Sequence, residues 1–493
     1  MPGEQSVFSR KAISIVLAGI VIARFVTLSA YPIFDKSEAR YAYIAELMVQ
    51  TNNWITPFVD HGVPFWAKPI LSIWLTAASF TLFGINAFAA RLPAFLIYTF
   101  VGWLVFVIGR DERDPVFGLA AACAFASSAV AFFLGGTVLT DPALMLGVTL
   151  SMTGFWRGAY QTNQQSNHVW GYVFFVGIAI GVLAKGPIGA VLPGMSIVAW
   201  LTLHREWASL WRRLPWISGT ALALMLVVPW YALEEYRTPG FLHYFFIGEH
   251  FDRFLFPHWS GDLYGSGRGQ PRGTIWIFAL VAGLPWSIAL LIVLLRRNAR
   301  QQIFKGSALK ALLADRWVSY LCFWLLAPLV LFTLAANILI DYTAPGLAAF
   351  ALLTADAFRR FGIAYDHRYG FIITSALVPV VFIAAVIAIS INPGMDSFRS
   401  QAGIISTYKD LTAGRPSEII YAFDKPISAD FYSGGRAKFV LNSDGIAANL
   451  GNADTYFVVP VGVWPKLPDD LRQKLRVIVT RNHYVLLQPK ATP

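Results

Sequence analysis

The chain has 493 residues, 56% hydrophobic, 15% aromatic and only 14% charged, with 39 Lys and Arg against 28 Asp and Glu and a net charge of +11. Soluble chains carry about 25% charged residues, so this composition excludes an ordinary cytosolic enzyme and points to a chain that crosses a membrane many times. The positive excess admits nucleic acid, anionic lipid or a phosphorylated substrate as partner, and where the cations sit decides among them.

Arg10 and Lys11 precede the first apolar run, 12–30, and residues 26–34 offer no small-x-small cleavage pattern, so this run is expected to stay as a first helix and signal anchor. Further apolar runs near 90–109, 116–134, 140–157, 169–184, 187–204, 214–233, 274–295, 317–335, 337–358 and 369–391 can each cross, or nearly cross, a ~30 Å hydrocarbon core. That makes about eleven spans. Cys123 and Cys322 lie inside such runs, without metal-ligand neighbours, and suit small core positions.

Every second connection is basic. Arg110 and Arg113, Arg157, then Arg205, Arg212 and Arg213, then Arg296, Arg297, Arg300, Lys305, Lys310 and Arg316, then Arg359, Arg360 and Arg368 join Arg10 and Lys11 as seventeen cations on one predicted cytoplasmic face. Much of the net charge is therefore topological, and nucleic acid drops out as a partner.

The opposite face receives two long loops, 31–89 and 234–273, and a tail from about 392. The first loop opens Phe34-Asp35-Lys36-Ser37-Glu38-Ala39-Arg40-Tyr41, in which Ser37 suits an N-cap, Glu38 a first helical turn, and Ala42, Ala45 and Val49 one face of a short surface helix. Asp35, Glu38 and Arg40 would then gather at a helix N-terminus able to receive a phosphate. Lys68 stands in the aromatic stretch Pro64 to Pro69, and Arg91 opens the second span. Each could equally snorkel to lipid headgroups.

Asp141 begins the fourth span in Thr140-Asp141-Pro142, as a cap or a functional carboxylate. Lys185 sits in a turn too short to need it for solubility, the second long loop carries Glu249-His250-Phe251-Asp252-Arg253, and Asp341 and Tyr342 follow Asn337. In the tail, short β-branched and aromatic runs at Glu418 to Phe423, Ala437 to Leu441, Thr455 to Val459 and Leu475 to Val479, separated by Gly, Asn, Asp and Pro, predict strands of a small α/β domain. The division is a membrane region, 1–391, and an outer domain, 392–493.

Cations at a lipid–water boundary can bind a lipid-linked phosphate and stabilise it as a leaving group, while a nearby carboxylate takes a proton from an acceptor hydroxyl. Together these describe glycosyl transfer from a polyprenyl-phosphate sugar. Neither a Walker A loop nor a dinucleotide fingerprint occurs. A flippase for lipid-linked sugars would instead spread ionisable residues over both faces or along a midplane path.

The strings Glu38-Ala39-Arg40-Tyr41-Ala42, Asn53-Trp54-Ile55-Thr56-Pro57, Lys68-Pro69, Ala90-Arg91-Leu92-Pro93, Asp141-Pro142, Lys185-Gly186-Pro187, Glu249 to Phe254 and Tyr342-Thr343-Ala344-Pro345 resemble, in order, the membrane region of bacterial GT-C class glycosyltransferases, of the ArnT-like and protein O-mannosyltransferase-like kind. The resemblance implies a polytopic α-helical GT-C fold of about 11 to 13 transmembrane helices, with a small outer α/β domain. It also implies a bacterial inner-membrane location with the site on the periplasmic side, a polyprenyl-phosphate sugar as donor, and an envelope lipid such as lipid A, a glycan or a protein as acceptor. Carried over, Arg40, Lys68, Lys185, Arg253 and Tyr342 bind the lipid phosphate, and His250 and Arg91 are further candidates. Asp35 or Glu38 is the catalytic carboxylate, Asp35 being favoured, and Asp141 holds the sugar or the acceptor. The chain has Ser37 where the common pattern has Asp, and Ala67 before Lys68 where ArnT-like members have Glu. No cofactor and no metal are assigned.

Overall fold

A computed structural model describes residues 2–160, 164–207, 213–257, 259–265, 269–295, 307–361, 368–392, 399–413, 415–452, 454–481 and 483–490. Of the predicted cytoplasmic cations, Arg212, Arg296, Arg297, Arg300 and Lys305 lie outside the described residues.

Each of the eleven apolar runs carries helix. The chain begins with α1 (Pro2–Val26), followed by α2 (Ser37–Thr51), the small hairpin β1 (Phe58–Asp60) and β2 (Val63–Pro64), and α3 (Leu71–Phe83). Then come α4 (Ala87–Glu112), α5 (Pro115–Ala126), α6 (Ala129–Leu134), α7 (Asp141–Tyr160), α8 (Gln164–Lys185) and α9 (Ile188–His204). Later helices cover Trp216–Arg237, Arg316–Thr333, Leu347–Arg360 and Arg368–Ile391.

Among the described residues, five helices are long and apolar enough to cross a membrane by themselves, and Thr274–Ala282 with Trp286–Leu295, bent by 100°, makes a sixth if taken as one span. Other runs are interrupted. Run 116–134 divides at Ser127 and Ser128, whose hydroxyls donate back to the carbonyls of Cys123 and Ala124, a local competition with the helix ladder. Run 337–358 starts with a 3-10 turn, Ile340–Gly346, before its helix. Leu224, Met225, Leu226 and Val228 on one outer helix, and Ile373, Leu377, Val380 and Val381 on another, point away from the protein. Hydrocarbon is the environment that suits such faces, and the chain is a multi-pass membrane protein.

The basic end of the bundle is laced with ion pairs. Asp114 caps α5 through the N–H groups of Val116 and Phe117, and Asp315 caps Arg316–Thr333 in the same way. Both caps also accept arginines: Arg359 reaches Asp114 at 3.4 Å, while Arg360 and Arg113 reach Asp315 at 2.5 and 3.6 Å. Arg157 meets Asp111 at 2.9 Å and Arg316 meets Glu206 at 2.7 Å.

The α7–α8 hairpin positions the site. Its helices touch along Gly147, Gly154 and Gly158 against Gly181, Phe174 and Gly171, so closely that a Cβ on Gly147 would stand 2.5 Å from the Gly181 nitrogen. Small residues let two backbones approach where lipid supplies no hydrophobic drive. The antiparallel pairing sets Asp141, the first residue of α7, beside Lys185, the last of α8.

Beyond the bundle, five strands form one sheet in the order β4 (Lys438–Val440), β3 (Glu418–Ala422), β5 (Thr455–Pro460), β7 (Tyr484–Pro489) and β6 (Leu475–Arg481). β3 is parallel to β4 and β5, whereas β7 is antiparallel to β5 and β6. Ile420, Phe457 and Leu487 pack one face of the sheet, and Ile419, Tyr456, Val458 and Leu486 the other, against Ile404 and Ile405 of helix Ala402–Thr412. The four predicted strands are present, and β7 completes the sheet between two of them.

Candidate active site

Two ion-paired clusters form where α7, α8, the first long loop and the second long loop meet. In the first, Lys185 donates to Asp141 at 2.5 Å, and its ammonium lies 4.4 Å from the ring centroid of Tyr342. Cation–π contact of this kind is strongest when water is excluded. The His250 ring nitrogens lie 2.7 Å from the Phe245 carbonyl and 3.2 Å from that of Lys185, which ties the second loop to the end of α8. Burial pushes His250 below the usual imidazole range, against the pull of the two carbonyls.

The second cluster centres on Glu249, which sits in a π-helical stretch, Tyr244–Asp252. Such stretches are frequent at functional sites. The Glu249 side chain is 2% exposed and accepts Lys68 at 2.8 Å and Arg253 at 2.9 and 3.0 Å. Asp262 stands 3.7 Å from Arg253. Burial alone would raise the Glu249 carboxyl, but Lys68 and Arg253 outweigh it and hold the group below the usual carboxylate range.

Arg40 differs from the other candidate cations. Its Nε is buried without a hydrogen-bond partner, and no ion pair reaches it among the described residues. The neighbouring Tyr41 phenol lies in the field of Asp141, Arg40, Glu249 and Arg253, and burial pushes it far above its ordinary range.

Glu38, Arg91 and Asp35 have other partners. Ser37 begins α2 and Lys36 occupies the cap without a side-chain bond, so the expected Ser37 N-cap is not formed. Glu38 instead folds back to accept the Phe34 N–H at 3.0 Å, and it takes Arg91 through Nε at 2.8 Å and Nη2 at 3.0 Å. Arg91, fully buried, donates further to the carbonyls of Leu28, Tyr31 and Pro32. This pair is a structural junction whose donors and acceptors are saturated. The Val138 N–H, 3.4 Å from Glu38, links it to the loop that leads into Asp141.

The Asp35 carboxylate accepts both the backbone N–H of Ser428, at 2.8 Å, and the Ser428 hydroxyl. It thereby joins the first loop to helix Ile427–Ser433 of the outer sheet domain. Burial raises its carboxyl although both bonds from Ser428 pull the other way. The favoured base of the sequence reading thus faces the C-terminal domain, and of the three predicted catalytic acids only Asp141 stands in a cation cluster, paired with Lys185.

Sequence reasoning did not select Glu249, Asp262 or Tyr41 as site residues. The four-residue spacing of Glu249 and Arg253 was the available signal, since it puts both on one side of a helical turn. Among the described residues no three His, Cys, Asp or Glu side chains converge as a metal site would require.

Residues 13–245 match the family model described as dolichyl-phosphate-mannose-protein mannosyltransferase. A relative from Enterobacter sp. (strain 638), undecaprenyl phosphate-alpha-4-amino-4-deoxy-L-arabinose arabinosyl transferase, is 29% identical over 353 residues, 69% of this chain and 58% of the relative. A Pseudomonas aeruginosa protein of the same description is 27% identical over 354 residues, 71% of this chain and 60% of its own length. The chain therefore spans about three fifths of the length of these relatives.

Among solved structures, ArnT from Cupriavidus metallidurans bound to undecaprenyl phosphate superposes with a TM-score of 0.69 at 18% identity, covering 97% of this chain and 98% of that one. Its apo form gives 0.72 at 17% identity, covering 96% and 97%. Over nearly its whole length the chain thus shares the fold of these two ArnT structures, and residues 13–245 are similar to the mannosyltransferase family model.

Proposed function

We propose that the chain is a membrane glycosyltransferase that moves a sugar from a polyprenyl-phosphate donor to a cell-envelope acceptor, lipid A or another glycan, on the periplasmic face of the bacterial inner membrane. The observation that carries this reading is the convergence of Lys68, Lys185 and Arg253, with the ring of Tyr342, at the end of the bundle opposite its basic ion-pair lattice. Likeness to proteins described as aminoarabinose transferases favours an amino-pentose donor.

In the reaction, an acceptor oxygen attacks the anomeric carbon from the face opposite the phosphate. The bond from that carbon to the phosphate oxygen breaks with inversion, and polyprenyl phosphate leaves with the electron pair. Arg40, which has no carboxylate of its own, takes the phosphate first; Lys68 and Arg253 pivot from Glu249 to share the leaving charge. Asp141, released in part by Lys185, orients the acceptor and accepts its proton when the acceptor is a hydroxyl. An acceptor that is itself a phosphate needs no strong base. Residues 1–391 hold this machinery, and the outer domain, 392–493, braces the first loop through Asp35.

The test is transfer by purified full-length protein from a polyprenyl-phosphate sugar, paired with mass spectrometry of envelope lipids, glycans and glycoproteins from a deletion strain. A lost pentose-sized or hexose-sized increment on a lipid or glycan supports the reading. An unchanged envelope together with an inactive purified enzyme would sink it, and an increment lost from protein alone would move the acceptor to polypeptide.

A further inference from the structure

Away from the cation clusters, a cleft of about 490 Å³ opens between the α3–α4 turn and the outer sheet domain, with Glu46, Asn86, Ala87, Lys409, Tyr432 and Arg436 among its walls. A second cleft of about 420 Å³ adjoins it, sharing Ala87 and Tyr432. Glu46 is only 2% exposed; its Oε1 accepts Gln50 at 2.9 Å, and its Oε2 has no partner. A buried carboxyl oxygen left open at a cavity wall is costly unless a ligand or water meets it.

The opposite wall is cationic. Lys409 donates to the Tyr432 carbonyl at 2.8 Å and Arg436 uses Nε for the Ser433 carbonyl at 2.9 Å, which leaves their other donors to the cleft. Helix α4 begins on this wall at Ala87, adding the partial positive charge of its N-terminus. Below the cleft, Leu82 and Phe83 are 75% and 54% exposed, and the Phe88 ring joins Phe83 to Phe25 of α1 by edge contacts. An apolar strip thus runs from a cationic pocket along Phe83, Phe88 and Phe25.

We propose that this cleft binds the phosphate headgroup of an anionic membrane lipid, with Lys409, Arg436 and the start of α4 taking the phosphate oxygens and the acyl chains lying on Phe83, Phe88 and Phe25. Burial pushes the Glu46 carboxyl up to about 8, so at neutral pH it carries a proton and offers an O–H donor to the phosphate rather than a repelling charge. The site touches no residue of the proposed transfer reaction and stands independently of that reading.

Native mass spectrometry of the full chain, titrated with phosphatidylglycerol or phosphatidylcholine, tests the proposal. Phosphatidylglycerol is expected to be retained in preference, and the double variant Lys409→Ala/Arg436→Ala, which removes two exposed cations, to weaken its retention roughly 30-fold. Glu46→Gln, which keeps a donor at the same place, should retain the lipid. Equal retention of phosphatidylglycerol by the double variant and the parent, or of phosphatidylcholine and phosphatidylglycerol by the parent, would overturn the proposal. So would saturation by inorganic phosphate at the same concentration as the lipid, because the acyl chains would then contribute nothing.

Discussion

Lys185 and Asp141 lie at the two free ends of one glycine-packed helical hairpin and meet at 2.5 Å. The contact has a mechanical consequence: the glycine stripe of α7 and α8 fixes how far apart the two heads can stand. Asp141→Asn keeps the shape but removes the charge that balances Lys185. Transfer is expected to fall about 10²- to 10³-fold, the scale of one lost transition-state contact, and the melting temperature to fall as well, because the buried Lys185 ammonium loses its counter-charge. Parental activity in this variant would remove Asp141 from the chemistry.

Arg40 and Arg253 should respond differently to truncation. Arg40→Ala strands no carboxylate, so its effect is confined to donor binding: a KM raised about 10- to 100-fold, the scale of a charge-assisted hydrogen bond or two, with an unaltered melting temperature. Arg253→Ala removes a partner of Glu249, a carboxylate that is 2% exposed, and is expected to lower both kcat/KM and stability. Steady-state kinetics beside thermal unfolding in detergent separate the two patterns.

Glu38 and Arg91 form a buried pair, and breaking such a pair from one side costs about 3–5 kcal/mol because the other charge is left uncompensated. Arg91→Ala is therefore expected to accumulate poorly or unfold at markedly lower temperature. Glu38→Gln should lose activity in proportion to lost folded protein. A well-folded, parent-stable Glu38→Gln enzyme without activity would instead return Glu38 to the role of base.

Asp35 holds the outer domain to the first loop through Ser428. Asp35→Asn and Ser428→Ala are each expected to increase proteolytic cleavage in 399–413, beside the Asp35 N–H to Arg399 carbonyl bond at 2.7 Å. Both variants should behave alike, since they remove the same contact. A catalytic Asp35 would show itself as loss of transfer in Asp35→Asn that Ser428→Ala does not share.

Glu46 faces Gln50 on its own helix and Lys409 and Asp430 on the outer domain, with Arg436 across the cleft. Burial raises its carboxyl to about 8 in the folded chain, against 4.5 for the free group, and Asp430 adds to the shift while Lys409 opposes it. The folded state therefore keeps a proton that the unfolded chain gives up, so this stability is complete below pH 4.5 and is lost as pH rises through about 8. Glu46→Gln is expected to flatten the fall in melting temperature between pH 6 and pH 9. An unchanged profile would show that Glu46 is not the group responsible.

The periodic features of the chain were legible without coordinates. Apolar runs, alternating basic loops and the β-branched segments of the tail depend on local hydropathy and on the free-energy cost of placing charge in lipid, both of which a linear sequence records. The strand β7 was not recognised, because Tyr484 to Pro489 is a short terminal run whose strand character comes from pairing with β5 and β6 on both sides. The sequence also placed Arg40, Lys68, Lys185, Arg253, Asp35, Glu38 and Asp141 on one end of the bundle, but it favoured Asp35 as the base, and the fold binds that carboxylate to Ser428.

Partner choice was decided in three dimensions. Glu38 is 53 residues from Arg91, Asp35 is 393 from Ser428, and Lys185 is 44 from Asp141. Whether a carboxylate is spent on a junction or left beside the cations depends on which helices pack together, and that packing arises from backbone approach at Gly147 and Gly181 and from the seating of helix Ile427–Ser433 on α2. Residue types and their end of the bundle are thus written in the sequence, whereas the assignment of each charge to a partner belongs to the fold, because Coulomb attraction and desolvation act through space and not along the chain.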